Sequence, residues 1–293
     1  MLVTMKEILD RASAENYAVA APNFLCEIDA RAALEAAEDL GAPIVLDMSY
    51  NNSMDLVFAG SYITRLAQQA SVPVAVNLDH GKNITHAVAA IRAGFTSMMT
   101  DRSMLLLEEN IAEVKKIVEI AHAAGMSVEA ELGHVGNGNT YDISNTDMLT
   151  DPVEAERFVK ETGVDCLAVA IGTAHGSYQG EPFLDFDRLR EIKAKTQIPL
   201  VIHGASGTGK ERIRKACRMG INKVNINNDL LQAAYEELVS HDLSGNGAYE
   251  LWKHLKNGYK KRLKEYIELC GSCGKIWTPT HGGLEHREIS LTE

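Results

Sequence analysis

Short apolar segments alternate with longer amphipathic segments along most of the chain. The apolar segments are residues 17–24, 43–50, 73–80, 96–101, 127–133, 166–172, 199–204 and 223–228. Because they are apolar along their length, we expect strands that are buried on both faces, as in a parallel sheet. Helical periodicity lies between them, for example over residues 29–40, 84–93, 108–124, 152–162 and 210–219.

This alternation predicts an α/β protein with the TIM (β/α)8 barrel fold. One catalytic domain is expected over residues 1–275, followed by a tail with little periodicity over residues 276–293. Residues 1–15 have the pattern of an amphipathic helix and not that of a signal peptide. The polar stretch 133–151 predicts a long loop after the fifth strand, and such loops are often lids.

Composition and charge exclude several classes of protein. The chain has 293 residues with 29 Lys and Arg against 40 Asp and Glu, a formal net charge of −11, which argues against a general nucleic-acid binder. Hydrophobic residues make up 45% and charged residues 24%, as in a packed globular protein. No apolar run approaches the roughly 18 residues of a membrane helix. Five scattered cysteines favour a reducing, cytoplasmic location over a disulfide framework.

Three histidines follow three different predicted strands. His80, His175 and His203 are each followed by Gly, and each lies where its strand ends. The carboxyl ends of the strands meet at the functional pole of a barrel, so the three rings should converge. Imidazole is a preferred zinc ligand, and catalytic zinc sites commonly have three protein ligands. His134 is either a loop residue or an extra ligand.

Asp79 precedes His80 directly in the sequence. On a regular strand the two side chains would point to opposite faces, unless the strand bends at its end. Asp79 therefore has two candidate roles: it orients a ligand histidine, or it acts as a general acid and base.

The last two predicted strands end in small and amide residues. Open backbone N–H groups and amide donors at this position form the recurrent phosphate site of the fold. The candidate residues are Gly204, Ala205, Ser206, Asn225, Ile226, Asn227 and Asn228. A Schiff-base lysine would be an alternative way to activate a carbonyl. Lys82 and Lys223 flank strands, and neither is expected inside a strand near its carboxyl end.

Seven motifs resemble those of the class II, metal-dependent ketose-bisphosphate aldolases, the group of fructose- and tagatose-bisphosphate aldolases. They occur in family order over residues 4–275: L-D-H-G (78–81), E-N-I (109–111), V-E-A-E-L-G (128–133), A-H-G-S-Y-Q-G-E-P (174–182), H-G-A-S-G (203–207), K-V-N-I-N (223–227) and C-G-S-C-G-K (270–275). The resemblance implies a lyase of carbohydrate metabolism, such as glycolysis. Its expected form is a cytoplasmic homodimer or homotetramer, in which the helical segment 249–270 could pack on a partner subunit.

The resemblance also implies roles for individual residues. His80, His175 and His203 match the zinc ligands, and Glu131 and Asp101 match an alternative metal position. Asp79 matches the acid and base that handles the aldehyde oxygen. The triose-phosphate grip corresponds to Gly176, Gly204 to Ser206 and Asn225 to Asn228, and a monovalent cation, Na⁺ or K⁺, is expected near that phosphate. Ser49 resembles a serine near the other end of the substrate, and Asn23 is a further candidate contact.

Four positions depart from the family pattern. Arg102 replaces the Gly of D-G-S, Asp47 stands for a usual Gln, and Asn228 stands for a usual Thr. The loop after strand five has Asn139 where an acidic residue normally moves the triose proton. Asp142 or Glu129 could substitute, proton exchange could be slow, or the reaction could differ. Arg102 either recognises an anion on the aldehyde half of the substrate, pairs with Asp101 or Glu131, or faces solvent.

The sequence thus predicts an aldolase that cleaves a ketose 1-phosphate or 1,6-bisphosphate to glycerone phosphate and an aldehyde. Two alternatives stay open at this stage. One is a diverged aldolase that acts on another acidic phosphorylated ketose. The other is a non-catalytic barrel that binds sugar phosphates. The partners expected in each case are small molecules, and neither nucleic acid nor membrane.

Overall fold

Eight parallel strands form one sheet, and a helix follows each of them. The computed structural model describes residues 1–50, 55–140, 148–178 and 180–279. The strands are β1 Val19–Pro22, β2 Ile44–Ser49, β3 Val74–Gly81, β4 Ser97–Thr100, β5 Ser127–Leu132, β6 Cys166–Val169, β7 Leu200–Ile202 and β8 Ile221–Ile226. The helices are α1 Met5–Ala14, α2 Glu27–Leu40, α3 Leu56–Gln69, α4 Ile84–Ala93, α5 Leu107–Ala123, α6 Pro152–Thr162, α7 Phe186–Thr196, α8 Lys210–Arg218, α9 Asn228–Val239 and α10 Leu251–Cys270.

The strand order closes the sheet into a barrel. Each strand pairs in parallel with its sequence neighbours, and β1 pairs with β8. A bridge between Asn23 and Asp47 joins β1 to β2, with Phe24 N donating to Asp47 O at 3.0 Å. The TIM-barrel prediction is therefore confirmed. The amphipathic helix that the sequence predicts near the N-terminus is also present, as α1.

Helix α1 covers the amino-terminal end of the barrel. Met5, Ile8 and Leu9 are fully buried there and pack against the lower interior side chains of the strands. Thr4 begins the helix with a capping box, because its side chain accepts from Glu7 N while Glu7 accepts from Thr4 N. With this end covered by an apolar plug, the opposite, carboxyl-terminal end is left for chemistry.

The middle of the barrel contains a polar layer instead of the usual branched aliphatic side chains. Asp47, Asn77, Glu129 and Lys223 are all fully buried there, one each from β2, β3, β5 and β8. The expectation that Lys223 flanks a strand was wrong, although Lys223 does not lie near the carboxyl end of one, as expected. It lies inside β8, which begins at Ile221, and not at the start of a strand.

Two predicted features differ in detail from the structure. The sixth strand ends at Val169, so His175 lies on a separate two-residue strand, Ala174–His175. That strand pairs in parallel with Gly136–Asn137, which belongs to the stretch expected to be a loop throughout. Asp142 and residues 280–293 of the predicted tail lie outside the described residues.

Candidate active site

His80 and Asp79 approach the same cavity because β3 bends at its end. His80 has φ of +51°, in the left-handed region that a non-glycine residue rarely adopts. The pairing register between β3 and β4 shifts over the same residues, between Leu78 and Gly81. This bend removes the strict alternation of faces that a regular strand would impose. Such backbone strain, of order 1–3 kcal/mol, is typical of functional sites.

The three predicted histidines converge. The ring centroids of His80 and His175 are 5.1 Å apart, those of His80 and His203 are 4.9 Å apart, and those of His175 and His203 are 5.8 Å apart. One ring nitrogen from each lies within 4.8 Å of the other two. The rings are inclined to one another by 70–80°. They therefore surround a point and do not stack.

Hydrogen bonds to carboxylates fix two of these rings from behind. His80 Nδ1 is 3.0 Å from Asp101 Oδ2, which leaves Nε2 toward the cavity. His203 Nε2 is 2.8 Å from Glu129 Oε1, which leaves Nδ1 toward the cavity. A carboxylate behind a ring is the usual way in which a metal-binding histidine is oriented. His80 thus presents Nε2 to the cavity and His203 presents Nδ1, because in each ring the carboxylate contacts the other nitrogen.

His175 is positioned by the short ladder described above. The His175 ring donates a hydrogen bond to the backbone of Val135, and Nε2 of His175 is buried without a hydrogen-bond partner among the described residues. Burial together with the neighbouring rings of His203 and His80 lowers the pKa of His175 to about 4. The ring is therefore neutral at physiological pH, which is the form that can donate a lone pair to a metal.

A second group of donors shares His80. His80, Asp101 and Glu131 also offer one atom each within 4.8 Å of one another. Glu131 Oε1 accepts from Val135 N at 3.0 Å, whereas its buried Oε2 has no partner among the described residues. Burial and the charge of Asp101 raise the pKa of Glu131. His134 lies at the edge of this group: its Nδ1 is 3.7 Å from Glu131 Oε1 and 3.0 Å from Ser103 Oγ, which donates to Asp101.

The Asp79 carboxylate is buried and hydrogen-bonded on both oxygens. Asn23 Nδ2 donates to Oδ2 at 2.9 Å, and Asn225 Nδ2 is 3.4 Å from Oδ1. Burial alone would raise the pKa of Asp79, but the charges of His80, His203 and Lys223 lower it to about 2. Asp79 is therefore an ionised, oriented base at neutral pH, 4.0 Å from His80 Nε2.

The charge distribution around His80 favours a cation. Burial opposes a charged ring, yet Asp79, Asp101 and Glu131 together raise the pKa of His80 to about 10. Three carboxylates around one imidazole thus stabilise positive charge at the centre of the histidine cluster.

The histidines and the amide residues line one cavity of about 330 Å³. Its lining includes Asn23, Ser49, Asp79, His80, His175, Gly176, His203, Gly204, Ser206, Asn225, Asn227 and Asn228. Helix α9 begins at Asn228, so its first backbone N–H groups lie beside this wall, where that of Asp229 donates to Ser206 Oγ at 3.2 Å. Backbone N–H groups at a helix start, next to glycine turns, suit a phosphate. The predicted metal residues and phosphate residues therefore share a single site.

The backbone at position 204 requires a glycine. Its φ is +67°, and a Cβ there would lie 2.3 Å from the carbonyl oxygen of Ala174. Tyr178, which the sequence did not single out, braces the same turn: its hydroxyl donates to Gly204 O at 3.0 Å and accepts from Ala174 N at 2.7 Å. The turn after β7 is thus locked against the segment that carries His175.

Three sequence candidates do not expose a side chain to the cavity. Ala205 and Ile226 are fully buried in the core, so only their backbone is available to a ligand. Arg102 does not line the cavity, and its Nε forms an ion pair with Glu113 Oε2 at 2.5 Å. This partner is neither Asp101 nor Glu131. Recognition of a distal anion by Arg102 remains a prediction.

Two residues considered for chemistry have other partners. Glu129, a candidate triose base, is fully buried between His203 and Lys223. Lys223 Nζ is 2.8 Å from Glu129 and 3.1 Å from Asp47, and these carboxylates raise its pKa against the effect of burial. An ammonium ion held in this way has no lone pair for a Schiff base. Asp47, with no exposed surface, faces the barrel interior and does not line the cavity.

Comparison with known proteins decides the family. The family model for class II fructose-bisphosphate aldolase matches residues 3–275. The chain belongs to the class II fructose-bisphosphate aldolase family. The fructose-bisphosphate aldolase of Thermus caldophilus is 40% identical over 308 aligned positions, covering 94% of this chain and all of the relative. That of Geobacillus stearothermophilus is 40% identical over 252 positions, covering 82% and 87%.

A solved structure gives the same result. The crystal structure of the YdjI aldolase from Escherichia coli K12 superposes with a TM-score of 0.85 at 33% identity, covering 94% of this chain and 100% of that one. Membership of this aldolase family makes the protein a lyase, and the family reaction is cleavage of a ketose bisphosphate to glycerone phosphate and an aldehyde. No helix in the described part of the chain is long and apolar enough to cross a membrane.

Proposed function

We propose that this class II aldolase is zinc-dependent and cleaves a ketose 1-phosphate or 1,6-bisphosphate through Asp79. The observation that carries the proposal is the convergence of His80, His175 and His203 beside Asp79 and the amide-lined wall of one cavity. The donor set fits a borderline divalent metal, since three imidazoles point at one centre. The buried Nε2 of His175, which has no partner among the described residues, is the atom that such a metal would satisfy.

The residues that would hold the metal are His80, His175 and His203, with Glu131 and Asp101 as the alternative position. A zinc ion bound there supplies a Lewis acid for the ketone of the substrate. Asp79 accepts the proton of the C4 hydroxyl in cleavage and returns it in synthesis. Its ionised state and its two amide donors suit this role.

The amide wall would hold the phosphate of the triose half. Gly176, Gly204 and Ser206 face the cavity on one side, and Asn225, Asn227 and Asn228 on the other. Fixed donors keep the reacting carbons aligned with Asp79. Ser49 and Asn23, on the strands across the cavity, would contact the other end of the substrate. We also propose a monovalent cation near the phosphate, which activity measured in buffers without Na⁺ and K⁺ would test.

Metal analysis combined with a cleavage assay tests the proposal. The expected result is about one zinc per chain, lost on chelation together with release of glycerone phosphate from fructose or tagatose 1,6-bisphosphate. His203→Ala should lose both metal and turnover, because no fourth imidazole of the described residues lines the cavity. A fully active metal-free protein would contradict the role of zinc. Binding of all tested ketose phosphates without cleavage would favour a non-catalytic barrel. Cleavage of only another acidic phosphorylated ketose would favour a diverged aldolase.

We propose that the protein is a cytoplasmic homodimer or homotetramer. Exposed aromatic side chains near α10 support a subunit contact: Tyr249 is 86% exposed and Trp252 is 59% exposed. All five cysteines are free thiols, which supports a reducing compartment. Light scattering in solution measures the subunit number, and a monomer at micromolar concentration would contradict the proposed assembly.

A further inference from the structure

A continuous chain of buried polar contacts runs from the barrel interior to His203. Asp47 Oδ2 is 3.1 Å from Lys223 Nζ, which is 2.8 Å from Glu129 Oε2. Glu129 Oε1 is in turn 2.8 Å from His203 Nε2. None of these four side chains is more than 1% exposed. The four side chains are therefore shielded from bulk solvent, so the donors and acceptors of neighbouring side chains have to match.

The chemistry of these four groups determines which atom donates and which accepts in each hydrogen bond. An ammonium group has three N–H donors and no acceptor, so the atom of residue 129 that faces Lys223 has to be an acceptor. An ionised carboxylate is an acceptor on both oxygens, and it therefore accepts from His203 as well. The hydrogen then lies on Nε2 of His203, and the lone pair lies on Nδ1. That nitrogen points toward the cavity, where Asn225 Nδ2 is 3.5 Å away.

We propose that Lys223 is a positioning residue, which sets the tautomer of His203 through Glu129 and so presents Nδ1 to the cavity. Lys223 touches neither substrate nor metal in this arrangement. Asp47 holds the ammonium from the other side and also accepts from Asn77 Nδ2 at 2.8 Å. The inference rests on the proposed function, because the tautomer of His203 affects zinc binding only if His203 is a zinc ligand.

The variant Glu129→Gln tests this donor and acceptor assignment through its effect on zinc affinity. Next to Lys223, the oxygen of the Gln amide has to face the ammonium, so its NH₂ faces His203. His203 Nε2 then becomes the acceptor, and the hydrogen moves to Nδ1, where it blocks ligation. Lys223 keeps its contact with Asp47, whose carboxylate is then its remaining anionic partner in this chain of contacts. We expect zinc binding to weaken by roughly 10–100-fold, the usual effect of losing such a partner.

The same substitution should have less effect where Lys223 is absent. In the background Asp47→Asn with Lys223→Met, the interior has no ammonium, and the Gln amide is free to turn its oxygen toward His203. Asn at position 47 can still accept from Asn77. Zinc affinity, measured by competition with a chelator, should therefore fall clearly less on Glu129→Gln in this background. An equal fall in both backgrounds would overturn the proposal, as would an unchanged affinity in the wild-type background.

Lys193 offers a matched control. It is another partly buried lysine, and its Nζ donates to Ser13 Oγ, Ile198 O and Asn222 Oδ1 at 2.9–3.0 Å, at the opposite end of the barrel. It does not contact Glu129. In a Lys193→Met background, Glu129→Gln should keep its full effect on zinc affinity. A reduced effect there would mean that general loosening of the fold, and not Lys223, explains the first result.

A second measurement needs no metal. Long-range ¹H–¹⁵N correlation NMR of the full-length metal-free protein, at about pH 8 where an ordinary histidine is neutral, reads the tautomer directly. We expect Nε2–H for His203 in the wild type and Nδ1–H in Glu129→Gln. The same tautomer in both proteins would overturn the proposal even if Asp47→Asn/Lys223→Met fails to fold. Absence of zinc from the wild type would instead contradict the proposed function and leave this readout valid.

Discussion

Replacing Asp79 by Asn tests the proposed acid and base with little change of shape. The carboxylate accepts from Asn23 Nδ2 at 2.9 Å and lies 3.4 Å from Asn225 Nδ2. An amide in its place keeps one acceptor and has no lone pair of useful basicity. One hydrogen bond of about 0.5–1.5 kcal/mol is lost, so the fold should survive. Because Asp79 is not among the three convergent imidazoles, zinc should be retained.

The expected loss lies in kcat. A positioned general base contributes roughly 10²–10⁴-fold. At 1.36 kcal/mol for each factor of ten, this corresponds to about 2.7–5.4 kcal/mol in the barrier. KM should change little, since the proposed phosphate contacts of Gly204 and Ser206 are untouched. The control variant Asn23→Ala keeps the carboxylate but removes one charge-assisted hydrogen bond, which is worth about 1.5 kcal/mol and hence roughly ten-fold.

The assay measures glycerone phosphate release at saturating substrate and zinc content on the same sample. A large fall in kcat with unchanged zinc is expected for Asp79→Asn. Loss of zinc in this variant would show that Asp79 chiefly orients His80. A fall no larger than that of Asn23→Ala, roughly ten-fold, would refute proton transfer by Asp79.

Three further predictions concern single residues. Buried Asp47 holds its proton up to a pKa of about 7, against 3.8 ordinarily, owing to burial that Lys223 only partly offsets. The folded state therefore binds more protons between these values, and its stability falls as pH rises through this window. Urea unfolding should show Asp47→Asn gaining stability relative to wild type from about pH 4 to 7, and a constant difference would contradict this. With Asn139 in the loop after β5, deuterium exchange at C3 of glycerone phosphate should be slow relative to cleavage. The exchange should be slower still in Asp142→Asn, and fast exchange in this variant would assign transfer of the triose proton to water. Arg102→Ala should raise KM on the order of ten-fold for substrates with a distal anion, whereas equal effects on neutral-tailed substrates would assign Arg102 to its ion pair with Glu113.

The fold and the histidine cluster could be predicted because both depend on local patterns. Eight apolar segments separated by helical segments determine the barrel, and His80, His175 and His203 follow from the rule that strand ends meet. The helices 84–93 and 152–162 match the prediction residue for residue. Asn83 and Asp151 cap them with side chains that accept from backbone N–H groups, and both end at a glycine with positive φ.

The apolar character of the strand segments as a whole does not predict the polar interior of the barrel. In their upper halves the polar residues alternate, as in Lys223 and Asn225 of K-V-N-I-N or Glu129 and Glu131 of V-E-A-E-L. This period of two places charges inside the barrel and apolar side chains against the helices. The partners of each charge depend on residues distant in the chain. Asp47 and Lys223, for example, are 176 positions apart (223 − 47) and meet only when the barrel closes.

The charged layer beneath the histidines has a consequence for protein design. In most TIM barrels the middle layer is aliphatic, and the histidines of a grafted metal site would rest on hydrocarbon. Here Glu129, held by Lys223, supports His203, so the proposed metal site and the barrel interior are one unit. Transplanting His80, His175 and His203 to another barrel would carry over the ligands without their orientation. A successful transplant has to move the interior residues of β2, β5 and β8 as well.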